Sequence, residues 1–208
     1  MPIQTKICGI TTPDTLDAAV AGGATHIGFN FFPKSPRYVA PEAAAALVQR
    51  LPDRVTPVAL VVNEERTRID AIRAATGIAI IQLHGDESPA FAASLGGTVW
   101  KALPIKTRAD LETAAAYRGA VSTILYDAKA PKGADLPGGN GMRFDWGLLD
   151  GFAHPLPWIL AGGLDPENVR DAIGRTSARF VDVSSGVESA PGVKSVDKIA
   201  AFLKAAAL

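Results

Sequence analysis

Residues 158–188 read WILAGGLDPENVRDAIGRTSARFVDVSSGVE, and this stretch contains one full repeat of the pattern that decides the fold. The apolar run Trp158–Leu160 is followed by a glycine pair, a helix-like segment opened by Asp165-Pro166-Glu167, and a second apolar run, Phe180–Val183. Short, β-branched apolar runs are typical of strands buried on both faces in a parallel sheet. An acidic residue followed by proline is typical of the first turn of a helix. The stretch therefore predicts a strand–helix–strand unit.

The same alternation runs through the rest of the chain. Six further strands are predicted, at Ile3–Cys8, His26–Phe32, Pro57–Val62, Ala79–Leu83, Val99–Leu103 and Thr123–Asp127. The predicted helices are mostly alanine-rich and lie at Leu16–Ala21, Pro41–Leu51, Glu64–Ala75, Pro89–Leu95, Ala109–Tyr117, Phe144–Leu149, Pro166–Ile173 and Val196–Ala207. Eight strands alternating with eight helices favour a closed (β/α)8 TIM barrel over an open doubly wound sheet, which usually has fewer strands.

The length of the chain fits one such barrel. Its 208 residues are fewer than the ~250 typical of the fold, so the helix after the sixth strand must be short and most loops tight. No linker, low-complexity segment or shift in composition divides the chain. We therefore expect residues 1–208 to form a single catalytic domain.

Charge and cysteine content exclude several function classes. Lys+Arg and Asp+Glu number 21 each, so no overall field favours nucleic acid or an anionic membrane. The N-terminus does not resemble a signal peptide, and the apolar runs are too short to span a bilayer. A single cysteine excludes an intramolecular disulfide and suits a reducing compartment. We expect a cytoplasmic protein that binds a small molecule, and the sequence leaves monomer and homodimer open.

A phosphate site is predicted in the loops after strands 7 and 8, because the chemistry of this fold lies at the C-terminal ends of the strands. The pair Gly162-Gly163 lets backbone N–H groups approach an anion closely, and a following helix N-terminus adds the positive end of its dipole. Ser184 and Ser185 supply hydroxyl donors before Gly186. A tight turn alone would explain the glycine pair, but two such loops at the two expected positions favour phosphate. We expect backbone groups, rather than a lysine or arginine, to carry most of the binding.

Cys8 at the end of strand 1 and Asp127 at the end of strand 6 are the candidate acid–base pair. A cysteine at this rim is a candidate thiolate base or nucleophile, although a buried small hydrophobe is the commoner fate of a lone cysteine. Strand alternation and barrel closure predict that Lys6 meets Asp182 and sets the charge near the thiol. Partial burial favours the protonated carboxyl that a general acid at Asp127 needs, whereas the simpler alternative is a loop cap.

The remaining candidates lie in or next to loops. Arg37, in the proline-stiffened segment Phe32–Tyr38, is suited to holding a substrate carboxylate, although taken alone a solvated arginine is the simpler interpretation. The loop Gly138–Gly141 after strand 6 is interpreted either as a mobile cover or as a flexible surface loop. His84 is interpreted as a structural or supporting residue. We predict no metal and no cofactor, because metal-ligand spacing, a Rossmann fingerprint and a Walker loop are all missing from the sequence.

Together these motifs resemble phosphoribosylanthranilate isomerase, from Lys6 to the last helix. The resemblance is carried by Lys6–Thr11, Gly28-Phe29, Pro33–Tyr38, Gln82–Gly85, Asp127, Phe144–Trp146, Ala161–Leu164 and Asp182–Glu188. It implies an Amadori rearrangement of tryptophan biosynthesis, which converts N-(5-phosphoribosyl)anthranilate to 1-(2-carboxyphenylamino)-1-deoxyribulose 5-phosphate.

The resemblance also implies a role for each candidate residue. Cys8 would be the general base, Asp127 the general acid and Arg37 the partner of the anthranilate carboxylate. The residues expected at the phosphate and ribose end are Gly162, Gly163, Asp182, Ser184, Ser185 and Gly186.

Two alternatives remain open from the sequence. Another ribose-phosphate barrel enzyme is one, but a histidine-pathway isomerase is expected to have an aspartate where Cys8 stands. Indole-glycerol-phosphate synthase needs additional catalytic lysine and glutamate residues, which we could not place. A non-catalytic phosphate-binding barrel is the other, and it would need neither an acid nor a base. The joint presence of Cys8, Asp127 and Arg37 argues against such a binder.

Overall fold

The computed structural model describes residues 2–130, 138–139 and 141–207. All eight predicted strands are present within this part of the chain. They are β1 (Gln4–Cys8), β2 (His26–Asn30), β3 (Thr56–Val61), β4 (Ile80–Leu83), β5 (Thr98–Ile105), β6 (Thr123–Ala128), β7 (Trp158–Leu160) and β8 (Phe180–Val183). The strands are parallel and pair in chain order, and β8 pairs with β1, which places Lys6 opposite Asp182. The predicted (β/α)8 barrel is therefore confirmed.

Seven α-helices are present, six of them between barrel strands and the seventh after the last strand. They are α1 (Pro13–Ala21), α2 (Pro41–Val48), α3 (Arg66–Thr76), α4 (Pro89–Ser94), α5 (Arg108–Glu112), α6 (Val169–Thr176) and α7 (Val196–Ala206), among the residues that the structure describes. Proline occupies the first helical turn of α1, α2 and α4, where its missing N–H costs nothing. The segment after β6 forms only the 3-10 turn Trp146–Leu149, which agrees with the expectation of a very short element there.

Several predicted helix ends differ by a few residues from the observed ones, and the start of α6 differs for a clear physical reason. Helix α6 begins at Val169 and not at Pro166. The Asp165 carboxylate accepts hydrogen bonds from the backbone N–H groups of Glu167 and Asn168, so these residues form a turn before the helix. The Asn168 amide also donates to the carbonyl of Gly163. The turn therefore belongs to the loop after β7 and holds its glycine pair in place.

The interior of the barrel differs between its two ends. Near the N-terminal ends of the strands it is filled by the aromatic rings of His26, Trp100 and Phe180, which pack 4.6–5.7 Å apart between ring centroids. Further along the strands the buried residues become polar, with Lys6 and Gln82 both fully buried. Buried polar groups need partners, so this end of the barrel requires a bonded network.

A short hairpin after β8 extends the chain beyond the eight-strand pattern. Strands β9 (Glu188–Ala190) and β10 (Val193–Lys194) pair antiparallel and lead into α7. Gly192 in the hairpin turn lies against the backbone of Pro36, in the loop that follows β2. The hairpin thereby brings Glu188 and Lys194, both buried, to the catalytic end of the barrel. The helices in the described residues are all too short or too polar to cross a membrane.

Candidate active site

The thiol of Cys8 lies beside a buried ion pair. Lys6 Nζ donates a hydrogen bond to Asp182 Oδ1 at 2.8 Å, which confirms the predicted contact. On the neighbouring strand β2, a Cβ at Gly28 would lie 2.8 Å from Cys8 Sγ and 2.9 Å from Lys6 Nζ. A side chain at position 28 would therefore collide with both groups. Glycine at this position leaves the room in which the thiol and the ammonium approach each other.

The environment of Cys8 acts on its thiol in two directions. Burial raises the pKa of the Cys8 thiol, and the nearby Asp182 carboxylate adds to the rise, while the positive charges of Lys6 and Lys194 oppose it. Burial alone would lower the pKa of Lys6, but the attraction of Asp182 and of the thiol outweighs burial and raises it. Lys6 therefore stays charged, and the thiolate depends on the cations around it.

A second buried network surrounds Arg37, whose side chain is only 5% exposed, so the interpretation as a solvated arginine is wrong. Its Nε and Nη2 donate to the two carboxylate oxygens of Glu188 at 2.7 and 2.9 Å. Lys194 Nζ donates to the same carboxylate, and to the carbonyl and hydroxyl oxygens of Ser184. Burial raises the pKa of Glu188, but its bonds to Arg37 and Lys194 outweigh burial and lower it. The carboxylate therefore remains ionised between two cations.

The bonded cluster beside Cys8 contains more buried cations than carboxylates; Asp127, which bonds to His84, lies outside this cluster. Three cations, Lys6, Arg37 and Lys194, face two carboxylates, Asp182 and Glu188. The cluster thus carries one unbalanced positive charge when the thiol is neutral. A thiolate or a bound anion neutralises it. Lys194 was not among the predicted site residues, because it reaches the site only through the β9–β10 hairpin.

Asp127 at the end of β6 is 8% exposed and is held by bonds to both oxygens. Its Oδ1 accepts the backbone N–H of Ala128 at 2.8 Å, and its Oδ2 lies 3.0 Å from His84 Nε2. The other ring nitrogen of His84, Nδ1, lies 2.9 Å from the amide nitrogen of Gln82. His84 therefore contacts Asp127 directly, in agreement with the expectation of a supporting residue.

Part of the loop after β6 lies over this acid. A Cβ at Gly138 would lie 2.6 Å from His84 Nε2 and 2.7 Å from Asp127 Oδ2. The carbonyl of Gly139 accepts a hydrogen bond from Arg37 Nη2 at 3.1 Å. Asn140, within the same predicted loop, is outside the described residues. The predicted mobility of this loop stays a prediction.

The loops after β7 and β8 form the second half of the site. Gly162 and Gly163 adopt φ angles of +82° and +64°, in the left-handed region that favours glycine. Within residues 2–130, 138–139 and 141–207, the N–H groups of Gly163, Ser185 and Gly186 donate to no protein acceptor. These donors line or adjoin a small pocket between the two loops. Such a nest of N–H groups suits an anion.

Two residues predicted at the phosphate and ribose end, Asp182 and Ser184, bind polar groups of the protein. The hydroxyl of Ser184 donates to the carbonyl of Cys8 at 3.1 Å and accepts a bond from Lys194. The Asp182 carboxylate is turned toward Lys6. Both residues line the pocket of the glycine loops and also the larger cavity, so they lie between the two.

The larger of these two cavities is lined by Cys8, Arg37, His84 and Asp127 among others. A thiol and a carboxyl group on well-separated strands thus face one space, with an anion-binding nest at one end and a guanidinium group in the same cavity. This arrangement can move protons at two atoms of one anchored anionic molecule. In the described residues there is no group of three or more His, Cys, Asp or Glu side chains that could hold a metal ion.

Comparison with known proteins points to one family. The family model described as N-(5'phosphoribosyl)anthranilate (PRA) isomerase matches residues 5–205. The chain is 50% identical over 213 aligned residues to the N-(5'-phosphoribosyl)anthranilate isomerase of Zymomonas mobilis subsp. pomaceae, and the alignment covers 100% of both chains.

Solved structures agree with this match. A crystal structure of phosphoribosyl anthranilate isomerase in complex with reduced 1-(o-carboxyphenylamino)-1-deoxyribulose 5-phosphate is 37% identical, with a TM-score of 0.86 and 98% of each chain covered. A structure of monomers of the dimeric enzyme from Thermotoga maritima is 38% identical, with a TM-score of 0.85 and the same coverage.

Proposed function

The chain belongs to the N-(5'-phosphoribosyl)anthranilate isomerase family, and we propose that it performs the isomerisation with Asp127 as general acid and Cys8 as general base. The reaction converts N-(5-phosphoribosyl)anthranilate to 1-(2-carboxyphenylamino)-1-deoxyribulose 5-phosphate, a step of tryptophan biosynthesis. The observation that carries the residue assignment is that both side chains line one cavity beside an anion-binding nest.

Asp127 carries out the first proton transfer. Its carboxyl group gives a proton to the oxygen of the furanose ring, the bond from that oxygen to C1 breaks, and the nitrogen electron pair forms an iminium. The contacts with Ala128 and His84 involve both oxygens of Asp127, so the carboxyl group is held in one orientation at the edge of the cavity. A fixed donor of this kind typically accelerates a step by ~10²–10⁴-fold.

Cys8 carries out the second transfer. Its thiolate removes the proton from C2 of the sugar, and the C–H electron pair forms the double bond of an enolamine. The enolamine then gains a proton at C1 and loses one from the C2 hydroxyl, which gives the ketone. Lys6 and Lys194 stabilise the thiolate against the effect of burial. Each turnover therefore removes one proton from Asp127 and adds one to Cys8, and exchange with solvent restores both. The steps are proton transfers, and we propose that no cofactor takes part.

The two ends of the substrate are anionic, and the site offers a donor set for each. We assign the phosphate to the N–H groups of Gly162, Gly163, Ser185 and Gly186, and the ribose to the neighbourhood of Asp182 and Ser184. Arg37 is assigned to the anthranilate carboxylate. Glu188 occupies its Nε and Nη2, while Nη1 donates to no residue that the structure describes, so this nitrogen is the one we assign to the ligand.

The assignment is tested by following loss of the fluorescent anthranilate substrate. Cys8→Ala and Asp127→Asn should each reduce turnover at least ~10²-fold, because each removes one proton-transfer group. Arg37→Lys should mainly raise KM, because a lysine cannot reproduce the planar contact. A rate near that of the unmodified enzyme in either of the first two variants would remove the role of that residue. Complementation of a tryptophan auxotroph tests the same assignments in cells.

Three further proposals concern the domain organisation, the location and the oligomeric state of the enzyme. We propose that residues 1–208 act as one catalytic domain, because the candidate site draws on strands from β1 to β10. We further propose a cytoplasmic location, since a cysteine that serves as a base has to stay reduced. The related protein from Thermotoga maritima is described as dimeric and also as forming monomers, and we propose one of these two states here.

A further inference from the structure

The side chains of Gln82, His84 and Asp127 form a continuous chain of contacts that leads from the barrel interior to the cavity. Gln82 and His84 are two residues apart at the end of β4, so both point to the inside of the barrel. The Gln82 side chain is fully buried, its Nε2 lies 2.9 Å from His84 Nδ1, and His84 Nε2 lies 3.0 Å from Asp127 Oδ2. The orientation of the Gln82 amide therefore affects the hydrogen bonding of Asp127 through the His84 ring.

With the Gln82 amide in this orientation, the contacts define where the proton of the neutral His84 ring lies. An amide N–H can only donate, so Nδ1 of His84 accepts from Gln82, and the proton of the neutral ring lies on Nε2. Nε2–H then donates a hydrogen bond to Asp127 Oδ2, and this bond favours the ionised carboxylate. In this orientation the Oε1 atom of Gln82 is buried and has no hydrogen-bond partner among the described residues.

The opposite orientation of the amide reverses every bond in the chain. A half-turn about the last bond of Gln82 exchanges its oxygen and nitrogen, which have nearly the same size. The oxygen then accepts a hydrogen bond from Nδ1–H of His84, and Nε2 of His84 becomes an acceptor for the O–H of a protonated Asp127. The amide oxygen gains a partner in that state and the amide nitrogen gives up its own, so the two orientations of Gln82 leave the same number of its polar atoms without a partner. A glutamine, unlike a carboxylate or a methionine, supports both arrangements.

A general acid passes through both states in every turnover, because it must lose its proton to the ring oxygen and regain it. We propose that Gln82 and His84 are positioning residues that keep Asp127 hydrogen-bonded in its protonated and in its ionised form, with the ambivalent amide of Gln82 matching the tautomer of His84 to the state of Asp127. The proposal rests on the assignment of Asp127 as the general acid.

The first test separates positioning from folding. Gln82→Met keeps the length of the side chain but removes both polar atoms, and we expect kcat to fall ~10-fold or more while KM changes little, because the orientation of the acid is lost. The thermal midpoint should be unchanged or higher, since the variant removes a buried oxygen without a partner. Gln49→Met, at an exposed position, is the control for the substitution itself. Unchanged kcat, or a kcat loss that follows a loss of stability, would overturn the proposal.

A second test follows the proton itself. The chain has three histidines, so nitrogen NMR resolves the ring of His84. The unmodified protein with an ionised Asp127 should show an unprotonated Nδ1. In Gln82→Glu the carboxylate only accepts, so Nδ1 should become protonated, and kcat should fall ~10-fold or more because only one arrangement remains. An Nδ1 signal that does not differ between the two proteins contradicts the proposal.

Two more variants separate this proposal from the assignment of the acid. His84→Gln offers a flexible amide to Asp127 and should retain more activity than His84→Ala. Equal activity of the two would count against the positioning role. If Asp127→Asn is inactive while the Gln82 and His84 variants are normal, only the positioning proposal fails. If Asp127→Asn is active, the assignment of the general acid fails.

Discussion

The thiol of Cys8 lies near a buried ion pair of opposite charges, Lys6 and Asp182, and each charge can be removed by a separate substitution. Lys6→Met removes the cation that stabilises the thiolate and leaves the Asp182 carboxylate near it. The pKa of the thiol should then rise further above its ordinary value. Asp182→Asn removes the anion and leaves Lys6 to interact with the thiolate, so the pKa should fall. The two neutralising substitutions therefore shift the same group in opposite directions.

The size of the effect follows from the geometry around Gly28. Cys8 Sγ and Lys6 Nζ lie 2.8 and 2.9 Å from the same point, so the two atoms are no more than ~6 Å apart. At an effective dielectric constant of ~20, unit charges at this separation interact by ~3 kcal/mol. This energy corresponds to a shift of ~2 pH units in the thiol titration. We expect Lys6→Met to approach this value and Asp182→Asn to produce a smaller shift of opposite sign.

The assay is direct because Cys8 is the only cysteine. The thiolate absorbs in the far ultraviolet where the thiol does not, and subtraction of the Cys8→Ser titration removes the contribution of tyrosine. Alkylation rates with a small neutral reagent give an independent titration curve. The reasoning fails if both substitutions shift the curve in the same direction, since this would indicate general damage to the pocket. It also fails if Lys6→Met leaves the titration and the turnover unchanged.

Three further expectations concern the packing and charges of the barrel. Gly28→Ala should lower turnover ~10-fold or more in the substrate assay, because its Cβ would collide with the thiol of Cys8. The matched variant Gly174→Ala lies at an open and exposed helix position, and it should raise the free energy of unfolding by ~0.5–1 kcal/mol. Glu188→Gln should lower the free energy of unfolding in urea by ~3 kcal/mol, because it leaves two buried cations without a carboxylate. Asp17→Asn removes one partner of an exposed ion pair and should lower it by less than ~1 kcal/mol. Equal losses in the two variants would contradict this expectation. Burial, aided by a nearby ammonium, lowers the pKa of His26 to about 4, so the unfolded state binds the proton first as the pH falls below ~6.5. The free energy of unfolding should therefore drop by ~3 kcal/mol between about pH 6.5 and pH 4, and His26→Gln should flatten this slope.

Local pattern was sufficient for the order and type of the main elements. Every strand from β1 to β8 appears where an apolar run predicted it, because strands buried on both faces leave an unmistakable composition. Barrel closure then correctly placed Lys6 beside Asp182. The start of α6 was misplaced because the Asp165 side chain binds two N–H groups of a turn, and an Asp-Pro pair opens turns as well as helices.

The bonded networks of the site were harder to predict. Arg37 and Glu188 are 151 positions apart, and their contact depends on a hairpin whose two strands have only three and two residues. The contact of His84 with Asp127 joins strands that are not neighbours in the barrel. One signal was present in the sequence. Gln82 in β4 and His84 just after it are two positions apart, so their side chains share one face and place a polar pair inside the barrel. Long-range side-chain pairs of this kind are set by the tertiary structure alone.

The β9–β10 hairpin also determines when the molecule becomes complete during synthesis. A nascent chain that ends at Val187 contains all eight barrel strands, the thiol and the carboxyl group. It lacks Glu188 and Lys194, so Arg37 would be buried without its carboxylate and the cations around Cys8 would be one fewer. The residues from Glu188 onward also include α7, whose Ile199 and Phe202 side chains are fully buried in the core. The part of the chain that follows β8 therefore completes both the charges around Cys8 and the helix packing around the closed sheet.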